Sequence, residues 1–579
     1  MKMELLKILL FFMTFCHAYA ASNIDMDKEN ITENAFQGLL NVQCLPRQVH
    51  LSFGGSLTEM VVMWSTEVLC TPQVYYGEGE WNLSIIATGR SLPMVYKESL
   101  GQTVHKSSYL HRAYLTNLKP GTTYHYMPVS NDVSRGPFYF KTPPLAQYMK
   151  PEFLIYGDLG VHSESLAKLE LEAMKGKYTS ILHVGDFGYN LEDMITEGLY
   201  SGENVGDVFM AQIEEMASHI PYMVSPGNHE IEEDTFNQYR YRFSMPNTEW
   251  PIPLNKMWYS MNIGPVHFLS YSSEVFFTSN GRYIESQKQW ILADLAAANR
   301  NRQTTPWIIA FGHRPMYCSN DDLDDCTLQE SQVRLGLEEI FYNNGVDIVL
   351  QAHEHSYERL WPVYKGVVLA ENYTDPQAPV QLITGAAGSK HGVDLMSARN
   401  ESWSAFRMDN KSFNSYGRLK IFNATHLYWE QVAVLNGEVL DSVWITQEHH
   451  GPFSHATLPE DKKNKITEQK QKDTIVQNNM PKPETTGDTL TKKVTEAIKG
   501  ADTKVIVGVS FAVFVVIFLL IVCIIRQCTK KRTKSYRRWE TLDYGKKFYS
   551  NLKSDDKDAD DFEVDVTDGT TKLIDSSKD

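Results

Sequence analysis

The chain runs to 579 residues with 42% hydrophobic and 12% aromatic content, more than a single core consumes, so two or three globular domains are expected. A net charge of −16 leaves no basic face to track phosphates and argues against a nucleic-acid partner. Residues 1–20 carry Lys2 and Lys7, then the apolar run 8–12 and Ala18-Tyr19-Ala20, the layout of a cleaved secretory signal. The mature chain is expected to start at Ala21.

From residue 40 to 144 the texture is all-β. The runs 58–64 and 136–140 alternate with Gly and Pro turns and show no helical period. Leu118-Lys119-Pro120-Gly121-Thr122-Thr123-Tyr124 matches the corner of a fibronectin type III-like sandwich, where a tyrosine hydroxyl ties down a turn.

Residues 150–451 repeat one unit, an apolar strand that delivers a polar loop. Run 153–156 delivers Gly157-Asp158-Leu159-Gly160. A helical stretch over 166–174 leads back to run 181–184, which delivers Gly185-Asp186-Phe187-Gly188-Tyr189 and makes a βαβ unit with both acids at one sheet edge. Runs 221–224, 306–311 and 346–350 deliver Asn228-His229-Glu230, His313-Arg314 and His353-Glu354-His355. Strand ends that open into Gly-bounded loops are where α/β sheets hold ligands, so five such ends are expected on one rim.

Beyond residue 451 the periodicity fades, and 452–504, rich in Lys, Glu, Thr and Gln, reads as a disordered stalk. Residues 505–525 carry no charge and are long enough for a transmembrane helix. Arg526, Lys530, Lys531, Arg532, Lys534, Arg537 and Arg538 follow, which assigns 526–579 to the cytoplasm and gives a single-pass type I membrane protein. The N-x-S/T acceptors Asn30, Asn82, Asn372, Asn400, Asn410 and Asn423 all precede the span, as expected of a glycosylated lumenal or extracellular part. Cys44, Cys70, Cys318 and Cys326 form an even set between signal and span, suited to an oxidising compartment. Cys318 and Cys326 are close enough to staple one loop, and Cys44 can pair with Cys70; sequence leaves the connectivity open.

Asp158, Asp186, Tyr189, Asn228, His313, His353 and His355 are the residue types a two-metal hydrolase requires: carboxylates and an amide for hard cations, imidazoles for borderline ones. A free tyrosine titrates near ~10, so a phenolate ligand calls for a strongly acidic trivalent cation, with ferric iron the common biological choice. His353 and His355 are expected on the loop beyond the strand, each aimed at a different metal.

In order and spacing, these five blocks resemble the signature of the purple acid phosphatases within the calcineurin-like metallophosphoesterases. Together with the amino-terminal sandwich they are similar to the long two-domain, acid phosphatase type 7-like branch. The resemblance implies an α+β architecture: a sandwich, then a four-layer αββα phosphoesterase domain with a C-terminal subdomain from about residue 378. It implies Fe(III) on Asp158, Asp186, Tyr189 and His355, and a divalent zinc, iron or manganese on Asp186, Asn228, His313 and His353. His229 becomes the candidate for stabilising or protonating the leaving group, with Glu230 as its partner; the competing role is to hold the Asn228 loop. Two departures stand out. Ala310 replaces a usual Val in the fourth block, and 318–322 lack the histidine pair that plant members carry there.

The function expected is hydrolysis of phosphate monoesters, at acid pH, on the outer or lumenal side of a plasma or endo-lysosomal membrane, with a homodimer admitted. One rival keeps the metals but cleaves nucleotides or phosphodiesters. Another class altogether is a catalytically inactive adhesion or receptor glycoprotein that keeps only the folds.

Overall fold

The protein is represented by a computed structural model, which describes residues 38, 42–97, 104–161, 163–196, 200–321, 323–328, 330–397, 401–408 and 413–479. The sequence-predicted signal, the span 505–525 and the cytoplasmic segment lie outside these residues, as do Asn30, Asn400 and Asn410. Among the described residues no helix is long and apolar enough to cross a membrane.

The amino-terminal part is a sandwich of two antiparallel sheets. One is ordered Arg47–Phe53, Met60–Thr66, Val104–Leu115 and Arg90–Lys97; the other Ile85–Thr88, Pro72–Gly77, Thr123–Ser130 and Val133–Ser134, with Phe138–Lys141 also paired to Thr123–Ser130. Trp64 faces inward from the first sheet and gives its indole N–H to Ser130 Oγ of the second at 2.9 Å, so the largest buried ring leaves no polar atom unpaired. The Tyr124 hydroxyl accepts the Lys119 backbone N–H at 3.0 Å, the tyrosine corner that the local sequence predicts. Cys44 and Cys70 are disulfide-bonded at the base.

Arg47–Phe53 is an edge strand whose open N–H groups need cover. Helix Val205–Ala217 of the next domain provides it: the buried Glu214 carboxylate accepts the Val49 N–H at 3.0 Å. Tyr126 Oη donates to the Ser218 carbonyl at 2.7 Å, and His50 Nε2 meets the Arg242 carbonyl at 2.9 Å. The sandwich is thereby a fixed buttress for the helix that precedes the Asn228 strand.

The catalytic domain stacks two sheets face to face. The first is ordered Tyr222–Ser225, Ser180–Val184, Glu152–Tyr156, Ser415–Ile421, His426–Ala433 and Val439–Thr446. The second is ordered Tyr259–Ile263, Val266–Ser270, Trp307–Phe311, Ile348–Gln351, Val380–Thr384, Tyr357–Leu360 and Ser404–Arg407. Phe153 meets Phe268 across the interface with ring centroids 4.7 Å apart. The strands that lead to the chemistry are parallel and almost wholly buried, because both faces of the sheets are covered along them. Strands after residue 378 complete both sheets: Val380–Thr384 pairs with Ile348–Gln351, and Ser415–Ile421 pairs with Glu152–Tyr156.

One expectation fails here. Residues 460–479, assigned to a disordered stalk, form helix Glu460–Asn479 and pack on the catalytic domain. Ile466 is buried with Tyr342, Tyr364 and Leu369, while Asp473 takes Lys365 at 2.9 Å and Arg334 at 3.5 Å. Apolar periodicity misses this helix because its docking face is mostly polar: Lys462 Nζ donates to the Leu369 carbonyl and Gln477 Nε2 to the Leu335 carbonyl. Good helix formers behind Pro459 do the rest. Residues 480–504 of that segment lie outside the described residues.

This docking is testable on two isoleucines of one helix. Ile466→Ala should cost about 2–4 kcal/mol in denaturant unfolding, as for other buried Ile truncations. Ile475→Ala, at a position 61% exposed, should stay within about 0.5 kcal/mol of wild type.

Candidate metal centre

Each candidate residue sits just past the carboxyl end of a buried strand. Asp158 follows Glu152–Tyr156, Asp186 and Tyr189 follow Ser180–Val184, and Asn228 follows Tyr222–Ser225, three parallel neighbours in the first sheet. His313 follows Trp307–Phe311, and His353 and His355 follow Ile348–Gln351, two parallel neighbours in the second. The rim expected from sequence is therefore a seam between two sheets, with acids, phenol and amide on one side and imidazoles on the other.

The loops at this seam are forced into unusual backbone. Asp158 (φ 61°), Asp186 (φ 51°), Tyr189 (φ 63°) and His353 (φ 70°) are all left-handed, at a cost of about 1 kcal/mol or more for each non-glycine residue. Gly185 (φ 79°) adds a steric demand, since a Cβ there would lie 2.4 Å from His313 Nδ1. A glycine beside Asp186 is thus needed for His313 to approach.

The side chains assemble as two adjoining groups. In one, His313 Nε2 is 3.1 Å from Asn228 Oδ1, 3.1 Å from His353 Nδ1 and 3.3 Å from Asp186 Oδ2. In the other, His355 Nε2 is 3.1 Å from the Tyr189 hydroxyl and 3.6 Å from Asp158 Oδ1. Both histidines of His353-Glu354-His355 lie on the loop beyond the strand, one in each group. Asp158 Oδ2 accepts the His353 N–H at 2.9 Å, but Asp158 Oδ1 is buried and has no hydrogen-bond partner among the described residues.

Such a donor set fits cations. A buried carboxylate oxygen without a partner costs several times an ordinary hydrogen bond unless positive charge meets it. The electrostatics point the same way. Burial by itself would lower the His313 pKa, yet the Asp186 and Asp158 carboxylates outweigh it and lift the imidazole to about 10. Burial likewise favours a protonated Asp186, but His313 and the neighbouring imidazoles hold it well below the usual carboxylate range. Burial, with the charges of Asp158 and Asp186 behind it, pushes the Tyr189 phenol far up, so only a strongly acidic ion would remove that proton.

Around these groups the loops are braced by other side chains. Glu230 does not partner His229. Its buried carboxylate accepts the N–H groups of Gly227, Asp186 and Phe187 at 2.8, 2.9 and 3.0 Å, locking the Asn228 and Asp186 loops together, and burial raises its pKa to about 8. His229 stands at the opening with its side chain 27% exposed. Its Nδ1 is 2.9 Å from Asn190 Oδ1 and its Nε2 is 3.9 Å from Asp186 Oδ2. Tyr357 and Arg359 bond Asp441, a structural tie away from the donor groups.

Sequence reasoning overlooked a sixth strand end. Val380–Thr384 runs parallel to Ile348–Gln351 and delivers the Gly388-Ser389-Lys390-His391 loop to the same rim. The His391 ring lies 5.7 Å from that of Tyr189 and 6.4 Å from that of His229, and Lys390 Nζ is 5.9 Å from the Tyr189 ring centre. The cue was present, an apolar run ending in glycine, but no metal-ligand residue followed at the usual spacing. Asp394, whose carboxylate accepts the His355 N–H, was missed too. Cys318 and Cys326 are bonded to each other beside the site. Asn82, Asn372 and Asn423 are all exposed.

Comparison with known proteins identifies the family. Family models match in three consecutive blocks: the purple acid phosphatase N-terminal domain over 46–142, calcineurin-like phosphoesterase over 151–357, and the iron/zinc purple acid phosphatase-like protein C domain over 378–442. Acid phosphatase type 7 of Danio rerio is 42% identical over 434 residues, covering 70% of this chain and 92% of that one. Acid phosphatase type 7 of Homo sapiens is 40% identical with the same coverage, and purple acid phosphatase 22 of Arabidopsis thaliana is 30% identical over 69% and 85%. The solved purple acid phosphatase PPD1 from yellow lupin shares the fold, with a TM-score of 0.60 at 22% identity over 70% of this chain and 75% of its own. With three family blocks in order and relatives this similar over nearly their whole length, the chain belongs to the purple acid phosphatases.

Proposed function

We propose that Asp158, Asp186, Tyr189 and His355 hold Fe(III) in this phosphoric monoester hydrolase, and that Asp186, Asn228, His313 and His353 hold a divalent zinc, iron or manganese ion. The observation that carries the assignment is the pair of adjoining donor groups, one containing the phenol and the unpartnered Asp158 Oδ1, the other centred on His313 Nε2 with Asp186 Oδ2 beside it. Two cations in such positions supply Lewis acidity, which lowers the pKa of water and neutralises charge on a phosphoryl group.

The chain's own residues do the rest. Glu230 and the left-handed loops hold the donors rigid, so no reorganisation is needed when charge builds up on the ester. Lys390 and His391 present a cation and an N–H donor at the opening, where an anionic substrate must enter. His229, oriented by Asn190 and part-exposed at the opening, is the candidate to stabilise or protonate the departing oxygen. Its second role, holding the Asn228 loop, is supported by the bond from its backbone N–H to Asp186 Oδ1 at 3.0 Å.

The compartment is part of the proposal. Two disulfides and three exposed N-x-S/T acceptors among the described residues suit a secreted or lumenal domain. The predicted signal and the predicted span 505–525 supply entry and a type I anchor in a plasma or endo-lysosomal membrane. Family membership and the assembled donors together speak against the inactive surface glycoprotein.

Three measurements follow from this assignment. The purified protein should be pink to purple from ferric-phenolate charge transfer, and Tyr189→Phe should bleach it; a colourless wild type that contains iron would remove Tyr189 from the ligand set. Asp186→Asn should reduce both metals in elemental analysis and lower kcat by roughly 100-fold or more, the scale of losing a central electrostatic group; loss of one metal alone would contradict a shared acid. Turnover of an aryl monoester should exceed that of the matching diester, with the opposite ranking favouring the phosphodiesterase reading.

A further inference from the structure

The loop closed by Cys318–Cys326 has no part in the ligand set, yet it grips the His353-Glu354-His355 turn and the strand that follows at three successive points. Asp324 Oδ2 hydrogen-bonds His353 Nε2. Asn320 Nδ2 donates to Glu354 Oε2, and the disulfide sulfur of Cys326 lies 3.0 Å from Glu354 Oε1. Ser319 gives its N–H and its hydroxyl to the Glu358 carboxylate at 2.9 and 2.7 Å.

The first contact bears on chemistry. An imidazole can bind a metal through only one nitrogen while the other carries a proton, and the partner of the second nitrogen decides which is which. His353 Nδ1 points at His313 Nε2, 3.1 Å away inside the divalent group, so Nε2 is the nitrogen that must keep the proton. A carboxylate is there to receive it. Arg314 Nη1 also lies 3.1 Å from His353 Nε2, but it can only donate, and Asp324 Oδ2, 3.2 Å from it and closer to Nε2, is the acceptor that both N–H groups share. That carboxylate is itself fixed, because Arg314 Nε is gripped by the fully buried Glu274 at 3.0 and 3.2 Å while the guanidinium lies 4.4 Å from the centre of the Phe277 ring. His353 also sits in left-handed backbone, so a side-chain hold of this kind limits how the ring can turn.

Building on the dinuclear assignment above, we propose that Asp324 is a positioning residue for His353: carried by the disulfide-closed loop, it keeps the proton on Nε2 and turns Nδ1 toward the divalent metal.

The test uses the full-length, metal-loaded protein, with Zn2+ affinity measured by competition with a chromophoric chelator and total metal counted by elemental analysis. Asp324→Ala should bind Zn2+ roughly 10- to 100-fold more weakly, the usual effect of removing such a partner, and should keep iron and its visible band. Asp324→Asn, which still accepts the Nε2 proton, should recover most of the affinity; general damage to the loop would instead lower both metals and give no recovery. Wild-type Zn2+ affinity in Asp324→Ala overturns the proposal, and so does a third equivalent of metal in the wild type that Asp324→Ala loses, which would make Asp324 a ligand. A wild type that holds no metal defeats the dinuclear assignment and this inference together, whereas two tightly held metals in both proteins defeat this inference alone. If Asp324→Ala folds poorly, Asp324→Ser is read by the same criteria.

Discussion

Two carboxylates buried at the seam between two sheets govern this structure. Asp158 and Asp186 are withdrawn from water, and one oxygen of Asp158 has no protein donor among the described residues. Negative charge in that setting must be met by positive charge. The imidazoles of the second sheet and the proposed ions are the answer, and four left-handed residues are the strain accepted to bring them together. Such strain persists only where the surroundings over-determine it. Here the surroundings are two stacked sheets whose site-bearing strands are buried on both faces.

Acidic side chains do much of the bracing. Glu230 collects three backbone N–H groups from two loops, Glu358 collects a backbone N–H and a hydroxyl of Ser319, and Asp394 accepts the N–H of His355. Each is a carboxylate satisfying donors that tight, positive-φ loops cannot pair with one another. The same logic runs outward. Glu214 caps the open edge of the sandwich at Val49, so the amino-terminal domain steadies the helix that leads into the Asn228 strand. A domain with no residue in the metal site therefore contributes to its rigidity.

Helix Glu460–Asn479 extends the catalytic domain well beyond the last strand of its sheets. It docks through Ile466 and through a buried cluster in which Asp473 answers Lys365 and Arg334. Removing one partner from such a cluster strands the others, so the helix belongs with the folded unit.

What the sequence determined alone was local: apolar runs that end in glycine and then in Asp, Asn or His, and a tyrosine corner within seven residues. These features are legible because the chain spacing that makes them is the spacing that is read. Only the tertiary structure decided that the strand ends divide between two sheets, that Val380–Thr384 adds Lys390 and His391 to the rim, and that Asp324 meets His353. It also decided that a polar segment after residue 459 is a docked helix. Contacts made across sheets, or through charges on a helix face, join residues far apart in the chain and leave no period in the sequence, so packing alone selects them.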